Sequence, residues 1–145
     1  MKLLTARAEI ENREWLEVDV TVSDSGEIEK NIWRANGCQS LLKAVEVASK
    51  RFEKMNLNDI SFNDGVEHWD LLINEAIDKL NGAFEFPLKE EELCHCRKIL
   101  AKKVDEAIVL GAHTPEKVRA WTTASSGCGT CRPDVEKLIN FRLKK

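Results

Sequence analysis

Four of the five cysteines fall in two clips, Cys94-x-Cys96 and Cys128-x-x-Cys131, with 31 residues between them. If the four thiolates share one centre, the chain must fold so that both clips meet. No other feature restricts the backbone as much. Four thiolates suit either tetrahedral Zn²⁺ or an iron–sulfur cluster. Buried free cysteines are common in proteins, but two clips flanked by glycines and helix starts are a poor match to scattered packing cysteines. Gly127 and Gly129 let backbone amides approach the sulfur of Cys128 closely. A helical stretch follows each clip, "KVDEAIVLG" after Cys96 and "RPDVEKLINFRLKK" after Cys131. Helix N-termini offer unpaired N–H groups and a positive dipole end, and both favour a bound anion. A Zn(Cys)₄ site and a [2Fe–2S] centre are both anionic, so charge does not separate them. The C-x-C clip is unusual in zinc ribbons and fingers, which favours iron–sulfur.

At 145 residues, 43% hydrophobic and 32% charged, the chain has a globular composition with room for one ordinary domain or two small ones. No apolar run is long enough to span a bilayer. The opening "MKLLTARAEIENREW" reaches Glu9 before a signal-peptide core could form. These features predict a cytoplasmic protein with no membrane partner, a setting in which paired cysteines read as metal or redox groups. The net charge of −3 conceals a division. Residues 1–88 hold 10 Lys/Arg and 17 Asp/Glu, whereas residues 89–145 hold 12 and 8. The cysteine-bearing half is thus basic, which suits a thiolate-bound centre. A nucleic-acid footprint would need a denser basic stripe, so no nucleic-acid partner is expected. There is no Walker or dinucleotide glycine motif, and no triad or paired-carboxylate spacing, so no enzyme activity is expected.

The first third alternates with the period of a sheet. Leu16, Val18, Val20 and Val22 share one face, "SDSG" supplies a turn, and Glu27 to Ala35 returns as a strand. An earlier strand places Leu4, Ala6, Ala8 and Ile10 on one face. Helical spacing follows in Leu41, Leu42, Val45, Ala48, Phe52 and Met55, and again in Trp69, Leu72, Ile73, Ala76, Ile77 and Leu80. "GAFEFPLKEEE" reads as a linker. Beyond it no strand pattern remains. A helix ends at Gly111, another opens with Thr114 as cap and Pro115 as its first residue, and a last one starts with Pro133 and Asp134. The predicted class is α+β. A three-stranded antiparallel sheet with packed helices occupies 1–82, a linker 83–91, and a small all-α metal-binding domain 92–145.

"LCHC", "KVDEAI", "HTPEKVRAWTTASSGCGTCRP" and "VEKLI" together resemble the bacterioferritin-associated-ferredoxin-type [2Fe–2S] domain, which also forms the central part of NifU proteins. The resemblance covers Glu92 to Asn140. It implies a small helical fold whose loops hold one [2Fe–2S] cluster, with Cys94, Cys96, Cys128 and Cys131 in the ligand positions. Two departures stand out. "RKILAKK" replaces the family's short capped turn after the second cysteine, and the glycine ending the first helix comes one residue early, at Gly111. His95, between two ligands, and His113 read as loop histidines rather than ligands, because a Rieske-type site needs two histidines on one iron.

"VDVTVSDSGEIEKNIWRANGCQSLLKAVEVASK" and "EHWDLLINEAIDKL" resemble the NifU/IscU-type scaffold for iron–sulfur assembly, over Leu3 to Leu80. That scaffold uses three cysteines, of which only Cys38 remains here. The first falls near Asn12 and the third at Trp69, beside His68, which matches the scaffold histidine. The resemblance therefore implies a retained fold with a degraded site, in which Cys38, at a helix start, is inherited for packing or keeps a reactive thiol. Taken together, the readings point to an iron–sulfur protein in electron transfer or cluster trafficking, working with a redox or assembly partner. One alternative is a zinc-stabilised module that recognises an assembly partner. Another is a true scaffold that uses Cys38 and His68 with a partner's thiol.

Overall fold

Alternation drives the first three strands into one sheet. In the computed structural model, β1 (Lys2–Ile10), β2 (Glu14–Val22) and β3 (Ile28–Asn36) pair antiparallel with β2 in the centre. The structure describes residues 1–89, 91–94, 98–124 and 131–144. They divide into two compact units. The first comprises Met1–Gly65 with Trp69–Phe84, and the second Val66–His68 with Glu85–Lys145.

In the first unit Ala6 lies opposite Val18 and Ala8 opposite Leu16, and all four are buried. Burying a side chain such as Leu16 or Val18 stabilises the fold by roughly 1.5–3 kcal/mol. The odd-numbered positions of β1 and β2, with the even-numbered positions of β3 opposite them, form the other face, which carries a charged lattice. Arg7 pairs with Glu17 and Glu9, and Arg34 pairs with Asp19 at 2.8 Å and with Glu17 at 3.5 Å. Asn12 turns β1 into β2 at φ 62, a left-handed conformation that Asn tolerates better than most residues. Gly26 turns β2 into β3 at φ 89, in the predicted "SDSG" turn. This second hairpin end is held from outside, because Ile28 donates its amide to the Met55 carbonyl and Leu57 donates to the Gly26 carbonyl, both at 2.8 Å.

Helix α1 (Gln39–Phe52) buries Leu41, Val45, Ala48 and Phe52, the predicted stripe, and Phe52 meets Trp33 of β3 edge-on at 5.2 Å. Two members of the expected stripe differ. Leu42 is exposed, and Met55 lies beyond the helix, where its carbonyl serves the hairpin. Helix α2 (His68–Leu80) is buried at more than its apolar stripe, with Asn74, Glu75 and Asp78 also buried. Asn74 is satisfied by Asn63. The Asn63 amide donates to Asn74 Oδ1 at 2.7 Å, and Asn74 Nδ2 donates to the Asn63 carbonyl at 3.1 Å. Lys79, in the last turn, donates to the carbonyl of Arg7 on β1 at 2.6 Å.

The second unit is not all-α. A short hairpin, β4 (Glu92–Cys94) with β5 (Ile99–Leu100), precedes three helices, α3 (Ala101–Leu110), α4 (Pro115–Thr122) and α5 (Arg132–Leu143). Strands of three and two residues are too short for a period-two pattern to register in a sequence. The helix signals stand where predicted. Thr114 caps α4 by accepting from the Lys117 amide, Pro115 opens it, and Gly111 ends α3 at φ 131. Phe86 and Leu88, in the segment read as a linker, pack against this unit's core.

Candidate metal centre

Strand β4 ends on a cysteine of the first clip, and a cysteine of the second clip is the N-cap of α5. Cys94 is the last residue of β4, and β5 runs directly into α3. The Ala101 amide donates to the Glu91 carbonyl at 2.6 Å, which ties the first turn of α3 back to the strand that carries Cys94. Cys131 is the N-cap of α5. Its carbonyl accepts from the Val135 amide at 3.1 Å, and its side chain makes no capping hydrogen bond. Pro133 and Asp134 occupy the first turn, as the sequence implied.

Cys131 is buried and belongs to the core of the second unit, together with Leu93 and Ala124. Leu93 immediately precedes Cys94, and Ala124 is the last described residue before the segment that contains Cys128. Both clip-bearing segments are therefore rooted in one core, as a shared centre requires. Cys96, Cys128, His95, Gly127 and Gly129, together with the side chain of Cys94, lie outside the described residues.

Charge at the start of α5 is organised by Arg132, the residue after Cys131. It pairs with Glu116 of α4 at 3.1 Å and with Glu136 at 3.2 Å, and hydrogen bonds to the two carboxylates raise its pKa above the usual guanidinium value. Glu116 is held below its ordinary 4.5, first by its own backbone amide and then by Arg132. The basic excess of this half is thus partly engaged in pairs, rather than wholly directed at a bound anion. Deeper in the unit, Arg142 forks onto Asp105, donating from Nε and Nη2 to the two carboxylate oxygens at 2.7 Å each. Sequence reasoning passed over this pair. Its signal was a charged residue standing at an apolar-stripe position in each of two helices.

His113 follows α3, with its amide on the Gly111 carbonyl and its Nε2 buried with no hydrogen-bond partner among the described residues. Of the residues taken from the scaffold resemblance, Cys38 is the N-cap of α1 in the first unit. It is half-buried, and its amide donates to Glu14 Oε1 at 2.7 Å. His68, the first residue of α2, groups with the second unit. Asn12 and Trp69 are the positions that the scaffold resemblance assigned to its other two cysteines. Asn12 meets the demand of a tight turn, and Trp69 lines a surface groove with Phe62 and Val47.

Residues 93–140 match the family described as the BFD-like [2Fe–2S] binding domain, so the second unit carries a domain of that class. The match begins at Leu93 and leaves the first unit outside it. The chain is also 26% identical over 130 residues to the nitrite reductase (NADH) large subunit of Escherichia coli (strain K12). That alignment covers 87% of this chain but only 15% of the relative. Among the described residues, no helix is long and apolar enough to cross a membrane.

Proposed function

We propose that this chain is an iron–sulfur protein that holds one [2Fe–2S] cluster on Cys94, Cys96, Cys128 and Cys131 and serves electron transfer. The observation that carries the proposal is the common rooting of Leu93, Ala124 and Cys131 in one core, within the span of the BFD-like match. Residues adjoining both clips share that core, and Cys131 stands at a helix N-terminus, where a bound anion is favoured. When bound, such a cluster supplies a one-electron redox centre. The protein's part is to hold four thiolates at fixed spacing and to tune the centre by burial and hydrogen bonding.

Electron transfer is preferred to cluster assembly because the curated relative is by name an NADH-dependent nitrite reductase subunit. In this reading the chain carries electrons for a redox partner and does not turn over a substrate itself. The assembly reading rests on the likeness of the first unit's sequence to NifU/IscU scaffolds, and that likeness retains one of three cysteines. The zinc reading rests on the donor set alone.

The test is anaerobic purification followed by metal analysis with visible and EPR spectra. About two iron and two acid-labile sulfide per chain are expected, with a red-brown protein that becomes EPR-active on reduction. A colourless protein with one zinc per chain overturns the proposal in favour of the zinc module. A cluster that moves to an apo acceptor faster than it exchanges electrons with redox dyes favours trafficking.

A further inference from the structure

We propose that Asp105 and Arg142 act as a positioning pin, fixing the helix behind the first cysteine clip against the helix behind the second and so setting the spacing of the thiolates. The inference rests on the four-cysteine reading above.

The two helices have the same design. In α3 the buried stripe runs Ala101, Val104, Asp105, Ile108, and in α5 it runs Val135, Leu138, Ile139, Arg142. Each stripe follows the i, i+3, i+4, i+7 spacing of a core-facing helix, and each places one charged residue where an apolar one would normally stand. Those two residues, 37 apart in sequence, find each other through a two-point fork of 2.7 Å hydrogen bonds. Both are buried. Stability does not explain such a pair, because a well-packed apolar replacement of a buried ion pair is often neutral or stabilising. An apolar contact lacks the directional geometry of the fork, in which a planar guanidinium meets a planar carboxylate at fixed distance and angle.

That geometry matters because of what the helices carry. From Asp105 the path runs back through α3 to β5, and β5 is the strand partner of the segment ending in Cys94. From Arg142 it runs back along α5 to its N-cap, Cys131. The length of α5 between Arg132 and Arg142 is about 15 Å. Over that length, a tilt of about 4° at the Arg142 end moves Cys131 by about 1 Å. Apolar helix packing alone shows about 15–20° of scatter in crossing angle among proteins. Metal–ligand distances tolerate only about 0.2 Å. The fork confines α5 to the narrower range.

The test compares the full-length wild type with Asp105→Leu/Arg142→Met and with Arg142→Lys, loaded with cluster under the same conditions. Two quantities are read: helical circular dichroism at the start, and the half-life of the visible band in excess bathophenanthroline disulfonate. The double variant should keep wild-type helicity and lose its cluster on the order of tenfold faster, the scale seen when groups that orient metal ligands are removed. Arg142→Lys, which keeps the charge but not the fork, should fall between. A wild-type half-life in the double variant overturns the proposal. If the double variant does not fold, Arg142→Lys decides by the same measure, and an unchanged half-life there also overturns it. Absence of iron and sulfide from the wild type defeats the cluster reading instead. The pin is then read from Co²⁺ titration of the apo chain, with about tenfold weaker binding expected in the double variant, and equal affinity or no binding in the wild type overturning it.

Discussion

Glu14, at the start of β2, accepts the backbone N–H of Cys38 at 2.7 Å, so that the sheet caps the first turn of α1. Cys38 makes no side-chain cap of its own, and a carboxylate here also faces the positive end of the helix. The approach is close because Gly37 has no side chain. A Cβ there would lie 2.7 Å from Glu14 Cγ and 2.8 Å from Leu41 Cδ2. Gly37→Ala should therefore destabilise the first unit by about 1–3 kcal/mol. Glu14→Ala alone should cost about 1 kcal/mol through the lost cap, and the double variant should lose less than the sum, because the clash with Glu14 is gone. Denaturant unfolding of the four proteins closes the cycle. Strict additivity would show that the contact is relieved by movement elsewhere.

Asn63 and Asn74 satisfy each other across eleven residues of sequence, one of them from a buried position on α2. Asn74→Ala leaves the Asn63 amide and carbonyl without their partner and should cost about 1–3 kcal/mol. A urea midpoint within error of the wild type would mean that water replaces the side chain at no loss.

Glu116 links the first turn of α4 to Arg132 at the start of α5, and its carboxyl titrates below the ordinary 4.5. A folded value below the unfolded one means that the ionised group stabilises the fold. That contribution is complete above pH 4.5 and is lost as pH falls through the lower folded value. Carboxyl NMR should place the Glu116 midpoint below 4.5. In Arg132→Gln it should rise only part of the way, because the residue's own amide is the larger cause. Full recovery of the ordinary value in that variant would reverse the ranking of the two causes.

Removal of the bound centre should act on one unit. The second unit is built from short elements, with Cys131 inside its core, so a cluster held as proposed would supply part of its folding free energy. The first unit has its own three-stranded sheet and buried apolar face. Chelation in the full chain should therefore speed amide hydrogen exchange in α3, α4 and α5 and leave β1–β3 unchanged. Equal acceleration in both units would show that the centre stabilises the whole chain.

Much of this fold is legible in the amino-acid sequence. The strands show because β1 and β2 each bury every second residue along much of their nine positions, and α1 because its stripe runs a full helix length. Thr114, Pro115 and Gly111 mark helix ends through local chemistry, which a sequence exposes directly. The misses share a different cause. β4 and β5 together hold five residues, too few for any period. Asp105 and Arg142 look like solvated charges until their helices are packed, and the Asn63–Asn74 pair has no local signature at all. At the candidate metal centre, the cysteine spacing suggests a donor set, while the core that holds Leu93, Ala124 and Cys131 together emerged only with the fold.

The bond from Lys79 to the Arg7 carbonyl has a bearing on how copies of this protein behave toward one another. β1 is an edge strand, and such edges invite strand addition by a second chain. An ammonium group seated on that edge, 2.6 Å from a backbone acceptor, makes the addition costly, since an incoming strand would have to displace it or strip it of solvent. A strand that sought the Arg7 carbonyl would first have to displace the Lys79 ammonium from it.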